Sequence, residues 1–509
     1  MHPLRSRLSA LLLALVACAG CYRSHPLSAG SDGGRAGDDE GPFGCAVDNG
    51  GCHPDAVCSA AHGTVICTCR PGFVGDGERC DPAPDLPRAA FLKATAPGPV
   101  DVFGVEVALS ADGDTLLVGA WLEDEGDVLD AGAGYVFRWA GTRWAAPLRL
   151  TAPMPRRSGN FGGAVTVDAD GTTLGLGEPA VGDPRPTGRA YALRAFGETF
   201  EPDGTFVAAE EDEPRVGVAL AISSDGQTLV VGNDGTRASV YRRRGDGRWR
   251  LDQTLAPPDG GPTNGFGSDV AISGDATTVA VGSPLENGSA TGVDGAMDAG
   301  APGSGAVFVY RRDDLGAFEL EAYVKASNTG AQDAFGDALA LSATGDVLAV
   351  GAWREDGSGT EVDPPSDEAA FDAGAAYVYR RGSTGWAFEA YVKSPTTFVS
   401  DGFGLALDLD GPGRRLAVGA LRGGVAPGAG GGATFVYQRS EPGWALLQTF
   451  VGPSPGSDDA FGRAVSLSAN GRVLAVGASM EGSSGGGVDP PMDDGAPASG
   501  AAFVFDLPP

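Results

Sequence analysis

Residues Phe335 to Asp356 read FGDALALSATGDVLAVGAWRED, and the pattern recurs with drift seven times after residue 100. The copies open at Phe103, Phe161, Val216, Phe266, Phe335, Phe403 and Phe461. A repeat longer than a helical hairpin implies a modular array whose units bury their faces against neighbours. In the fifth copy, DALALS at 337–342 and VLAVGA at 347–352 flank the turn Ala343-Thr344-Gly345, where glycine supplies the positive φ of a tight hairpin. A variable insert follows, then a third strand at 375–380 (AAYVYR), a turn ending at Trp386, and a fourth strand near 390–393 (AYVK). Four short antiparallel strands per repeat make the blade of a β-propeller.

The two ends of the array fit together. The seventh copy stops at its third strand, AFVFD at 502–506, whereas AFLKATAP at 90–97 precedes the first copy and matches the fourth-strand sequences YVKASN and YVKSPT. Residues 90–96 are therefore expected to complete the last blade, closing the ring and removing an exposed edge. The expected fold is all-β: a seven-bladed propeller over residues 89–509. The third copy, with Val216 for Phe and the shortest second-to-third connection at 233–237, reads as a trimmed or irregular blade.

Composition narrows the partners. The 509 residues include 82 glycines and carry a formal charge of −30 with a pI near 4.4. That balance argues against nucleic acid, which needs basic surface, and leaves cations and basic partners. Residues 1–21 have a basic start (Arg5, Arg7), an apolar run from Ala10 to Ala17 and small residues before Cys21, the build of an export signal too short to span a bilayer. Residues 22–44 read as a flexible acidic tether, and the proline-rich DPAPDLPR at 81–88 as a linker. Between them, six of the eight cysteines fall at 45, 52, 58, 67, 69 and 80, the density of a small exported domain held by disulfides, with fifteen pairings open on spacing alone.

Three resemblances sharpen this reading. Ala19-Gly20-Cys21 resembles a bacterial lipobox, with Cys18 departing from the usual aliphatic residue; it implies lipidation of Cys21 and anchoring at the outer membrane or cell surface, with secretion as the alternative. The stretch CAVDNGGCHPDAVCSAAHGTVICTCRPGFVGDGERC resembles an EGF-like module over 45–80, which implies bridges Cys45 to Cys58, Cys52 to Cys67 and Cys69 to Cys80. The acidic segment of calcium-binding EGF modules is replaced by Gly41-Pro42-Phe43-Gly44, and three bridges leave no thiolate to join His53 and His62 at a zinc ion. Finally, FG, VALSADG, LAVGA and GAxYVYRR resemble bacterial FG-GAP repeat proteins, related in fold to the integrin α propeller; the Gly-His and Trp-Asp dipeptides of WD repeats are missing. The integrin calcium loops do not carry over, because the hairpins at Asp168-Ala169-Asp170-Gly171 and Asp408-Leu409-Asp410-Gly411 hold only fragments of them.

Local function is expected where second strands connect to third strands. These inserts share a face with the FG-bearing loops and are acidic: LEDEGDVLD at 122–130, LENGSATGVDGAMD at 285–298, REDGSGTEVDPPSDEAAFD at 354–372 and MEGSSGGGVDPPMDD at 480–494. Arginines at 242–244, 311–312 and 380–381 end third strands, so charge is expected to be polarised across the disc. The ligand-binding candidates are Trp121, Glu123, Asp124, Glu286, Asp294, Trp353, Glu355, Asp356, Asp363 and Asp489. Clustered carboxylates suit calcium, and the candidate ligands are Asp294, Asp298, Asp363, Asp367, Asp489 and Asp493. Phe-Gly pairs, and Trp144, Trp249, Trp386 and Trp444, read as packing residues. Divergence after Trp353 places recognition in the inserts and scaffold in Phe335 to Ala352.

No histidine or cysteine follows residue 80, which removes His-dependent triads, cysteine nucleophiles and His-ligated metals from the repeats. The expected function is non-catalytic: a monomeric surface protein that binds a protein or polysaccharide and meets the membrane only through its anchor. The alternatives are a glycoside hydrolase using paired carboxylates and a structural envelope component.

Overall fold

The computed structural model describes residues 88–508, apart from 182–186, 208–214, 234, 236, 259–263, 424–429, 442 and 453–457, together with four short strands between 56 and 82. The expected export signal, Cys21 and the expected tether lie outside the described residues. The chain divides into two compact units, Met1–Leu86 and Pro87–Pro509.

In the first unit Ala56–Ala61 pairs antiparallel with Thr64–Cys69, and Phe73–Gly75 pairs with Cys80–Pro82. Its cysteine side chains lie outside the described residues, and its bridges remain those the resemblance implies.

The second unit is a seven-bladed propeller of four-stranded antiparallel blades. Blade 5 is typical: Ala338–Leu341, Val347–Ala352, Ala375–Gly382 and Gly385–Val392 pair in chain order. Its fourth strand begins earlier than the sequence suggests and takes in Trp386, because a bulge between Val378 and Tyr379 lets pairing continue to the hairpin tip. The third copy forms a full blade of Leu220–Ile222, Thr228–Gly232, Ala238–Arg243 and Trp249–Leu255. Its short connection removes an insert and leaves the strands intact. In blade 7, Ala90–Leu92 is hydrogen-bonded as fourth strand to Ala501–Asp506, with Phe91 opposite Phe503.

Seven hydrophobic clusters fill the spaces between successive blades. The Phe of each FG pair wedges into one of them: Phe335 is fully buried against Ala322 and Val324 of blade 4 and meets Tyr377 of its own blade edge-on, with ring centroids 5.3 Å apart. Polar staples run along the outer strands. Glu321 of blade 4 accepts the indole N–H of Trp386 at 2.9 Å and pairs with Arg381 at 3.3 Å, both on blade 5. Glu389 of blade 5 does the same for Trp444 at 2.9 Å and Arg439 at 2.6 Å of blade 6. Arg312 reaches Asp252 at 3.1 Å, and Arg243 reaches Asp203 at 3.0 Å. Arg244, Arg311 and Arg380 pair with carboxylates of their own blades, so the expected cationic face is corrected to arginines largely taken up in ion pairs within and between blades.

Candidate functional site: the insert face

The inserts share a face with the FG loops: Gly305, Gly374 and Gly500 before third strands bridge to Phe335, Phe403 and Phe103 of the next blades. The sequence reading held that the repeats stop agreeing at Trp353. The structure corrects this, because the inserts of blades 4, 5 and 7 (284–305, 353–374 and 479–500) are one folded unit used three times.

Each unit begins with a buried glutamate paired to a buried lysine from the blade's outer edge. Lys325 Nζ lies 2.8 Å from Glu286, Lys393 Nζ 2.7 Å from Glu355, and Lys93 Nζ 2.6 Å from Glu481. Ser304 Oγ and the Gly305 carbonyl complete the shell of Lys325 at 2.7 and 2.6 Å; the Gly374 carbonyl serves Lys393 at 2.7 Å. Glu355 also accepts Tyr391 Oη at 2.7 Å and Asn328 Nδ2 at 2.9 Å. Burial lowers the pKa of Lys93 and Lys325, opposed by their glutamate partners. In blade 1 the same position holds Glu123, paired at 2.6 Å with Arg149 and hydrogen-bonded at 2.9 Å by Tyr135. Burial lifts the Glu123 carboxyl, against the pull of Arg149. Glu286 and Glu355 are therefore corrected from surface ligands to internal partners of buried lysines, and Glu123 to the buried partner of the half-buried Arg149.

The aspartates tie the rest of each insert down. Asp294, Asp363 and Asp489 sit at positive φ and accept the backbone N–H of Tyr323, Tyr391 and Phe91 at 3.0, 2.8 and 2.9 Å. Their own N–H groups donate back to the carbonyls of those three residues. The insert is thereby sewn to the blade's outer strand, covering part of a free edge. Asp298, Asp367 and Asp493 each clamp a serine four residues short of the valine-aspartate step. Their two carboxylate oxygens accept Ser289 N (2.7 Å) and Oγ (2.8 Å), Ser358 N and Oγ (both 2.6 Å), and Ser484 N (2.7 Å) and Oγ (2.9 Å). These hydrogen bonds hold all three carboxyls below the ordinary carboxylate value.

All six aspartates named as calcium candidates thus accept N–H or O–H groups of the chain. Among the described residues no group of three or more His, Cys, Asp or Glu is arranged to hold a metal ion. Asp124 is exposed and accepts Asp130 N at 2.8 Å, and the half-buried Asp356 accepts Asp372 N at 2.7 Å. Trp121 and Trp353 are half-buried; the Arg354 guanidinium covers one face of the Trp353 ring at 4.3 Å.

The insert glutamates are buried and the hydrogen-bonded aspartates stay at the surface, where apolar side chains stand among them. Leu285 (55%), Met297 (42%), Phe371 (63%), Met480 (47%) and Met492 (50%) are exposed. Every methionine after Met1 is exposed on this face or its loops, a placement that sequence reasoning missed and that the insert spacing reveals.

A second group missed by the sequence reading lines the axis. Burial lifts the Asp269 carboxyl to about 8, opposed by N–H donation from Val270 and Leu339, with Glu106 and Asp337 adding repulsion. Glu106, also raised by burial, lies near 6 despite the Arg463 guanidinium. Asp269 accepts Leu339 N at 2.7 Å and Asp408 accepts Leu467 N at 2.7 Å, so both latch one blade's inner strand to the next.

Comparison with known proteins agrees with this architecture. The family model of the FG-GAP repeat matches residues 90–137 and 249–310, and that of the EGF domain matches residues 45–80. No curated protein matches the chain. The chain thus carries a match to the EGF domain and, after it, a seven-bladed β-propeller of which residues 90–137 and 249–310 match the FG-GAP repeat.

Proposed function

We propose that this protein is a non-catalytic binding or adhesion protein that recognises a macromolecule with the insert face of its propeller. An FG-GAP propeller is consistent with such a role. The observation that carries the reading is the threefold insert: its glutamates are buried in ion pairs, its exposed aspartates are bound to the chain's own N–H and O–H groups, and it holds Leu285, Met297, Phe371, Met480 and Met492 out to solvent. Apolar side chains held out to solvent on a braced surface are the build of a contact patch. A protein ligand is favoured over a polysaccharide because the Trp353 ring is already covered on one face by Arg354. Display at a cell surface through Cys21 is part of the same proposal and rests on the export signal alone. The test is a pull-down and a glycan array with the full chain. Ligand retention that is lost when Phe371 and Met492 are changed to serine supports the reading; retention unchanged by both substitutions refutes it.

A further inference from the structure

The partner class can be read from the stretch spanning blades 4 and 5, an inference that rests on the binding role of the insert face. The surface there is continuous through hydrogen bonds. Gln332 N donates to the Pro302 carbonyl at 2.9 Å, joining the blade 4 insert to the loop that follows its last strand. Asn328 in that loop donates to Glu355 at 2.9 Å, joining it to the blade 5 insert. Ser400 N donates to the Phe371 carbonyl at 2.8 Å, adding the next loop and its exposed Val399.

Apolar and acidic groups share this stretch. Leu285 and Met297 stand on the first insert, Phe371 and Val399 at the far end. Between them lie the half-buried Asp356 and the exposed Asp367 and Glu368, together with the buried Asp333 and the buried, Lys393-paired Glu355. Burial and then Glu355, Asp356 and Asp367 raise the Glu368 carboxyl, while burial with Glu355, Glu368 and Asp356 carries Asp333 to about 7. At this surface Asp356, Asp367 and Glu368 outnumber the exposed Arg354, and the lysines of these two blades, Lys325 and Lys393, are buried in pairs with Glu286 and Glu355.

We propose that the surface between Met297 and Phe371 docks a basic protein segment, its lysines or arginines meeting Glu368 and Asp356 and its apolar side chains seating on Leu285, Met297, Phe371 and Val399. Adaptable methionine and a single aromatic anchor suit a polypeptide of mixed sequence. The same field repels anionic lipid, and the formal charge of −30 opposes a second copy of this chain.

The experiment measures binding of a synthetic peptide of alternating lysine and leucine to the full chain, beside lysine/serine and glutamate/leucine peptides. The double variant Phe371→Ser/Glu368→Lys should weaken the lysine/leucine peptide about tenfold. The double variant Leu315→Ser/Asp314→Lys, on an exposed hairpin of the opposite face, should leave it unchanged. Peroxide oxidation read by mass spectrometry should show Met297 protected by the peptide and Met154, on the loop between blades 1 and 2, unprotected. Equal loss in both double variants, equal affinity for the lysine/serine peptide, or unprotected Met297 would each overturn the proposal. Should a glycan instead bind and be lost in Phe371→Ser/Glu368→Lys, the insert face keeps its binding role and the basic segment is wrong. Should neither probe respond to the insert variants, both fall.

Discussion

Gly351, in the second strand of blade 5, faces the backbone carbonyl of Gly404, which opens blade 6, so closely that a Cβ on Gly351 would overlap the carbonyl oxygen. The same glycine pair joins all seven blades, and Gly477 against Gly104 makes the closing contact. Gly404 itself has φ of 90°, a conformation that L side chains rarely adopt. The FG and VGA motifs are thus the two halves of one interblade contact.

Gly351→Ala should destabilise the propeller by about 3 kcal/mol, the upper end of overpacking costs, because backbone rather than a side chain must give way. Gly443→Ala, where no atom lies within 4 Å of the added carbon, serves as the control and should change little. Urea unfolding of both variants checks this, and equal stability of the two would refute the contact's importance.

The only lysines, Lys93, Lys325 and Lys393, are at most 1% exposed. An amine-reactive ester applied to the folded chain should therefore leave all three unmodified, and the same reagent in strong denaturant should modify all three. Mass spectrometry after proteolysis reads the outcome; labelling of Lys393 in the folded protein at the rate of a free amine would contradict its burial.

The scaffold was legible in the sequence because period-two alternation, turn glycines and apolar runs encode strand and hairpin directly. The second strand of blade 5 begins at Val347 and ends at Ala352 in both readings. The site was less legible, since burial of an acid depends on contacts distant in the chain. Glu355 looked like a surface ligand, yet its cation, Lys393, arrives from a strand beyond the insert. The relevant signal was present as spacing. Counted from Glu286, Glu355 or Glu481, the serine, the valine-aspartate pair, the second aspartate and the glycine before the third strand fall at identical offsets. Asp269 was unreadable for another reason: packing of the next blade brings Leu339 N to it, and closure of the ring brings the charge of Glu106.

Lys393→Met should cost about 3 kcal/mol, since removing one partner of a buried pair leaves Glu355 desolvated without its cation. Lys393→Met combined with Glu355→Gln should recover part of that loss, because the amide keeps hydrogen-bonding capacity for Tyr391 and Asn328 without the charge. A double-mutant cycle by urea unfolding measures the coupling, and additive losses would show that the pair does not act as a unit.

Asp367→Asn should act locally. The amide can accept only through one oxygen, so the clamp on Ser358 N and Oγ is halved, and the insert at 353–374 should exchange amide hydrogens faster and be cut sooner by protease. Global unfolding should be unaffected, because the clamp lies outside the interblade clusters. Calcium should protect neither form, given the donors that face these oxygens; protection of the wild type alone would restore a metal role to Asp367.

Stability should have a maximum in mild acid, set by carboxyls with opposite shifts. Against the pull of burial, Glu389, which joins blade 5 to Arg439 and Trp444 of blade 6, is held below the ordinary value by its hydrogen bonds from Arg380, Arg439 and Trp444, so its stabilisation is present above that value and is lost as pH falls through it. Asp269 near 8, Asp333 near 7, and Glu106, Asp401 and Asp408 near 6 are raised chiefly by burial. For these the folded chain holds protons that the unfolded chain has released, so stability declines as pH rises from the ordinary carboxylate value toward each folded value. The melting temperature should therefore fall between about pH 5 and 8, and Asp269→Asn, which keeps an oxygen for Leu339 N but cannot ionise, should flatten the last part of that decline. A melting series for wild type and variant decides the matter: parallel curves between pH 6 and 8 would mean that Asp269 does not titrate there.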